Sequence, residues 1–277
     1  MASQQGNVAA KLAADYSVIK NKNKKKYLHR LRPVILGSLL PIILIVVWEI
    51  FSKSGFVPAH QLPAPSTILG TIKEMFVDGT LWQHVGITTY RVFIGFVLGS
   101  VIAIILGSFV GLNTFAEHMF DPLIQAFRSI PSLAWVPLFI LWMGIGEPSK
   151  VTMIAVGVFF PVYLNIVSGI SGVDKKLIEV GKMYRLNTFE LITRVIFPAA
   201  LPSILVGLRS GLGLGWMFVV AAELMGASEG LGYLLVLGQN TLAPETILAS
   251  IILFATIGKL SDWVLKEVET RSLHWQR

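Results

Sequence analysis

The stretch Val92–Ala116, VFIGFVLGSVIAIILGSFVGLNTFA, contains no Asp, Glu, Lys or Arg. A helix needs about 20 mostly apolar residues to cross the hydrocarbon core of a bilayer, and this stretch meets that length. Its apolar residues run continuously. An outer-membrane strand would instead alternate at every second residue. Three more charge-free stretches follow the same reading: Pro33–Trp48, Ser129–Gly146 and Val151–Val173. Two further spans emerge when one or two charges are tolerated. The first carries Arg209 and Glu223, the second Lys259 and Asp262. The sequence therefore predicts an all-α membrane protein of about six transmembrane helices, over 33–51, 90–111, 123–143, 151–170, 200–225 and 246–265.

Composition agrees with that reading. Of 277 residues, 54% are hydrophobic and 14% charged, with mean hydropathy +0.69. A soluble domain carries about 25% charged residues, so a soluble enzyme and a disordered chain are both excluded. The chain has no cysteine, which removes disulfides, thiolate metal sites and a cysteine nucleophile. Its five histidines lack an HExxH-type spacing, so no metal site is expected. The first 30 residues are polar and carry no cleavable signal pattern.

Charge placement orients the chain. Lys20, Lys22, Lys24, Lys25, Lys26, Arg30 and Arg32 precede the first span. By the positive-inside rule that end is cytoplasmic, and six spans return the C-terminus to the same side. The segment after span four holds Lys175, Lys176, Lys182, Arg185 and Arg194; the C-tail holds Lys266, Arg271 and Arg277. The segments assigned outside carry only Lys53, Lys73, Arg91 and Lys150. Beside a membrane span the basic N-tail reads as a topology signal, with no nucleic-acid partner. The expected location is the cytoplasmic membrane of a bacterium, as a multi-pass protein in contact with the lipid bilayer.

Residues 1–28 read as a cytoplasmic tail and 29–277 as one transmembrane domain. The outer loop 52–89 is broken by Leu62-Pro63-Ala64-Pro65-Ser66, after which a short amphipathic helix through Phe76 is expected, capped by Ser66. The connection 144–150 reads as a tight outer turn, and 226–245 as a glycine-rich outer segment with room for a short helix.

The segment Asp174–Pro198, DKKLIEVGKMYRLNTFELITRVIFP, separates spans four and five. Leu177, Val180, Gly181 and Tyr184 fall at helical spacing. Leu186-Asn187-Thr188 is a turn signal with a capping residue. Phe189, Ile192, Val195 and Ile196 form a second amphipathic stretch that ends at Pro198. Two short helices are thus expected on the inner face, either resting on lipid or forming a docking surface.

This segment resembles the cytoplasmic signature of ABC-importer permeases: Glu-Ala-Ala, three residues, Gly, nine residues, then Ile-x-Leu-Pro. Here Glu179-Val180-Gly181 stands for Glu-Ala-Ala, Arg185 takes the Gly position, and Val195-Ile196-Phe197-Pro198 follows nine residues later. Glycine at that position would permit positive φ; Asn187 is expected to assume the role. Further stretches carry the resemblance: Leu62–Ser66, Leu81–His84, Ile130–Ala134, Pro137–Ile145, Leu201–Arg209 and Ala221–Leu224. They are most similar to the subfamily of permeases for aliphatic sulfonates, taurine, nitrate and bicarbonate.

The resemblance implies a type I ABC-importer permease fold, with residues 171–199 as the ATPase-docking loop. It implies a second permease copy, expected as a homodimer, two copies of an ABC ATPase subunit and an extracytoplasmic substrate-binding protein. It also implies alternating access for a small oxyanion, with an aliphatic sulfonate first among the substrates. The chain lacks a GxxxxGK[ST] phosphate loop. No cofactor is therefore expected on it, ATP being used by the partner ATPase, and it is not itself an enzyme. Glu179, Gly181, Lys182, Arg185, Asn187 and Pro198 are the candidate coupling residues.

A charged side chain at the bilayer centre costs about 2.5–3.5 kcal/mol, so it faces protein or water. Arg128, early in span three, reads either as snorkelling to headgroups or as lining the path. Pro131 and Pro137 break or kink that span, and Ser129, Ser132 and Trp135 near the kinks are candidates to line a polar passage. Arg209 and Ser210 lie near the middle of span five. An arginine suits a sulfonate through its planar fork; the competing reading is an ion pair that locks helices. Glu223 is a candidate for the path and for pairing with a neighbouring helix or the other protomer, and Tyr163 and Asn165 are candidates for the path or for interhelical bonds. Lys259 and Asp262 are expected to pair on one helix face. Gly95, Gly99, Ala103, Gly107 and Gly111, and separately Gly211, Gly213 and Gly215, read as small faces for close helix approach. An ATPase-independent secondary transporter would show inverted repeats or coupling acids at mid-membrane, and neither is seen. A non-transporting scaffold is disfavoured by Arg209 and the broken third span.

Overall fold

The computed structural model describes residues 37–58 and 60–274, and the described residues form helices with no strand. The N-tail and the first residues of span one lie outside them. The described residues fall into two compact units, divided between Thr67 and Ile68. In the first, helix α1 covers 37–53. Its Glu49 accepts hydrogen bonds from the Ser66 amide at 3.0 Å and the Ser66 hydroxyl at 2.7 Å. Helix α2, Pro65–Val77, begins there.

The second unit is built around α3 (Thr80–Leu112), α6 (Glu147–Ser171) and α9 (Phe197–Leu224). Lipid supplies no hydrophobic force between helices, so close approach depends on small residues. A Cβ at Gly95 would lie 2.5 Å from Ile154, one at Gly107 3.1 Å from Ile166, and one at Gly111 3.0 Å from Ile170. At Gly99 it would run into the Ala155 carbonyl oxygen. The small-residue stripe of α3, repeating every fourth position, is thus the seat of α6. On the other side of α6, Gly207 receives Asn165 and Gly211 receives Val162. Ile154, Val158, Val162 and Ile166 are fully buried between the two neighbours.

Two expectations change. Gly213 faces open space, and the packed face of α9 is Gly207, Gly211 and Gly215. At 3.6 residues per turn, positions two apart point to nearly opposite sides. The continuous span drawn over 123–143 is instead two helices. Asn113 caps α4 (Thr114–Ser129) by accepting from the Phe115 and Ala116 amides. Ile130 is extended ahead of Pro131, at φ −73° and ψ 124°, as the residue before a proline prefers. A 3₁₀ turn, Ser132–Trp135, leads into α5, Val136–Met143. With 8 residues, α5 extends only about 12 Å.

The remaining helices are α7 (Lys175–Met183), α8 (Thr188–Leu191), α10 (Leu231–Asn240) and α11 (Pro244–Ser272). Among the described residues, four helices are long and apolar enough to cross a membrane: Thr80–Leu112, Glu147–Ser171, Thr188–Leu224 and Pro244–Ser272.

Candidate functional site

The α6–α9 connection is a compact two-helix loop. Asp174 caps α7 by accepting from the Lys176 amide at 2.9 Å. Gly181 is the buried residue of α7, and a Cβ there would lie 2.5 Å from Leu191. This fixes α7 against the strip that follows. The helix then ends in a two-bond cap: the Leu186 amide donates to Gly181 O at 3.2 Å, and the Arg185 amide to Lys182 O at 2.9 Å. That pair of bonds requires a left-handed residue just past the helix, and Arg185 supplies it at φ 55°. The position where the signature carries glycine is therefore the left-handed one.

Asn187 does not take over that role. Its φ is −71°, and it caps α8 in a reciprocal box. Its Oδ1 accepts from the Glu190 amide at 2.9 Å, and Glu190 Oε2 accepts from the Asn187 amide at 3.1 Å. A π-helical turn, Ile192–Ile196, joins α8 to α9. Pro198 lies two residues beyond that turn and lacks the N–H that would continue the backbone bonding.

Leu177, Val180, Tyr184, Leu186, Val195 and Pro198 line an open groove on this loop. Tyr184 is 79% exposed and Phe189 74% exposed. Glu179, Lys182 and Arg185 are exposed beside the groove. An apolar patch bordered by charge is the usual form of a protein-contact surface.

A second polar constellation lies at the opposite ends of α6 and α9. A 25-residue α6 places it about 37 Å from the loop. Arg91 of α3 is 2% exposed there. Its Nε and Nη2 donate to the two oxygens of Glu147 at 2.7 and 2.6 Å. Its Nη1 donates to Glu223 at 2.7 Å and to the Glu229 carbonyl at 2.7 Å. Glu223 also accepts from the Thr88 hydroxyl at 2.8 Å and the Gly232 amide at 2.7 Å. Lys150 joins through Glu147 at 3.2 Å. Arg91 and Lys150, expected in outer segments, are both buried on helices.

The remaining path candidates do not converge on one site. Arg128 is exposed on α4. Ser132 lies in the 3₁₀ turn, and Trp135 packs between Phe127 and Phe139. Tyr163 is fully buried, with its ring stacked on Phe159. Asn165 donates to Pro161 O of its own helix, and Ser210 is exposed. Arg209 binds Asp262 at 3.0 Å and Glu269 at 2.8 Å, which ties α9 to α11. Lys259 approaches Asp262 at 3.8 Å. The described residues contain no cluster of His, Asp and Glu able to hold a metal ion.

Comparison with known proteins adds a family. Residues 95–273 match the family described as binding-protein-dependent transport system inner membrane component. A putative aliphatic sulfonates transport permease of Bacillus subtilis (strain 168) is 42% identical over 240 residues, covering 87% of each chain. The taurine transport system permease of Escherichia coli (strain K12) is 32% identical, covering 88% of this chain and 90% of its own. Among solved structures, an inward-facing MetNI methionine ABC transporter aligns with TM-score 0.55 at 19% identity. It covers 67% of this chain and 94% of its own. At that identity the likeness speaks to the fold.

Proposed function

Because the chain belongs to the family of binding-protein-dependent transport system inner membrane components, we propose that it carries an aliphatic sulfonate through the membrane, driven by a separate ATPase. The chain is the multi-pass permease of an ABC importer in the sulfonate and taurine subfamily, a transport subunit and not an enzyme. The sulfonate assignment draws on its similarity to a sulfonate permease at 42% identity.

In the proposed cycle, a binding protein delivers substrate at the outer face to a pair of identical permeases. ATP closes two ATPase subunits on the inner face, and the 174–198 loop transmits that motion to α6 and α9. The observation that carries this reading is the groove of α7 and the π turn, with Tyr184 and Phe189 exposed and Glu179, Lys182 and Arg185 beside it. That loop joins the ends of two long packed helices directly, so displacing it displaces both. Arg128 is proposed to face the path.

The test is uptake of a labelled alkanesulfonate by cells carrying the whole importer, with taurine and nitrate as competitors. Uptake that neither competitor blocks, and that Glu179→Lys abolishes while the chain still inserts, is expected. Full uptake by Glu179→Lys would refute a coupling role for that residue. Absence of sulfonate uptake in the native complex would redirect the substrate to another small solute.

A further inference from the structure

The Arg91 cluster lies at the end of the molecule opposite the coupling loop, and it grips one piece of backbone. Residues 225–230 connect α9 to α10. Gly226 and Gly230 adopt positive φ of 84° and 121°, which glycine tolerates without strain. Its end is read atom by atom. The Glu229 carbonyl accepts from Arg91 at 2.7 Å, and the Gly230 amide donates to His84 Nδ1 at 3.1 Å. The Leu231 amide donates to Thr88 Oγ1 at 2.8 Å, and the Gly232 amide to Glu223 at 2.7 Å. Four consecutive residues thus have a backbone group held by a side chain of α3 or α9. The loop's own Gly226 and Ser228 stay exposed.

Stability alone does not account for this arrangement. Apolar residues of similar volume commonly match or exceed a buried ion pair in stability. What the polar cluster supplies is one fixed backbone path, with the Glu223 side chain 0% exposed at its centre. Gly230 is part of that fit, since a Cβ would lie 2.5 Å from Glu223 Oε1.

We propose that His84, Thr88, Arg91 and Glu223 are positioning residues that hold the 225–230 loop in the shape that receives the substrate-loaded binding protein. This inference rests on the importer reading, which sets a binding protein at the face opposite the ATPase. Arg91 and His84 act on the loop backbone at Glu229 and Gly230, and Thr88 and Glu223 on the first amides of α10, which fix where the loop ends.

The test uses the full complex in lipid nanodiscs, with ATPase activity measured against the concentration of loaded binding protein. His84→Ala removes the acceptor for the Gly230 amide and leaves every ion pair intact. One hydrogen bond is worth about 1 kcal/mol net, or about fivefold at 1.4 kcal/mol per tenfold. The half-saturating concentration is expected to rise about fivefold, with the saturated rate within about twofold of the native complex. His84→Gln, which restores an acceptor, should return the half-saturation most of the way. Arg91→Lys, which keeps the charge and loses the fork, should shift half-saturation further. A merely structural role would lower the melting temperature without moving half-saturation. Unchanged half-saturation in a folded His84→Ala complex overturns the proposal, whatever the fate of Arg91→Lys. No stimulation of the native complex by any loaded binding protein would instead overturn the importer reading, and this inference with it.

Discussion

At Gly99 α3 lies against the backbone of α6, and the cost of filling it follows from the geometry. An added Cβ would collide with the Ala155 carbonyl oxygen and lie 3.0 Å from Val158 Cβ. The first contact is backbone, so no side-chain rotation relieves it, and the two helices must move apart. Overpacking of this kind costs about 1–3 kcal/mol. At Gly86, on the same helix, an added Cβ would meet nothing within 4 Å. Alanine there gains helix propensity worth up to about 1 kcal/mol. The same chemical change on one helix is therefore expected to have opposite signs. The assay is thermal denaturation of the purified permease in detergent. At about 2–4 °C per kcal/mol, Gly99→Ala should lower the midpoint by several degrees, and Gly86→Ala should hold or raise it. Equal midpoints for Gly99→Ala and the native chain would refute the close α3–α6 seat.

Glu223→Ala strips acceptors from Arg91, Thr88 and the Gly232 amide at once. Breaking a buried pair costs about 3–5 kcal/mol, so this variant should fail to accumulate in membranes, as immunoblotting would reveal. Glu267→Ala breaks an exposed i,i+4 pair with Arg271, worth about 0.3–0.5 kcal/mol, and should accumulate normally. Arg209→Gln should weaken the α9–α11 tie, seen as a lower melting midpoint, and leave the KM for transported sulfonate unchanged. A raised KM there would restore Arg209 as a substrate ligand. Arg185→Gly relieves a left-handed non-glycine residue, worth about 1–2 kcal/mol, and should show an equal or higher melting midpoint.

The helices that cross the apolar core are readable from sequence because an apolar run of membrane length has few other uses. The small-residue stripe of α3 is readable for a related reason, since its period of four matches one helix face. Arg91 escapes such a reading because its meaning is tertiary. Glu147 and Glu223 lie 56 and 132 residues away in sequence. One signal is present: Arg91 falls inside the span drawn over 90–111, and a charge in an apolar helix calls for a partner. The division of labour between Arg185 and Asn187 is hidden for a subtler reason. Asparagine is favoured both in left-handed positions and at N-caps. The capping box with Glu190, three residues on, decides for the cap, and the left-handed position then falls to Arg185.

Charge accounting bears on how this chain would treat an anion. Arg91 and Lys150 face Glu147 and Glu223. Arg209 and Lys259 face Asp262 and Glu269. Each cluster holds two cations and two carboxylates, so neither presents a net positive charge. A guanidinium already forked onto carboxylates has few donors left for a sulfonate, and freeing one would strand its partners. Arg128 differs, being exposed on α4 with no ion pair among the described residues. Both clusters thus tie helices together, the first joining α3, α6 and α9 and the second joining α9 to α11.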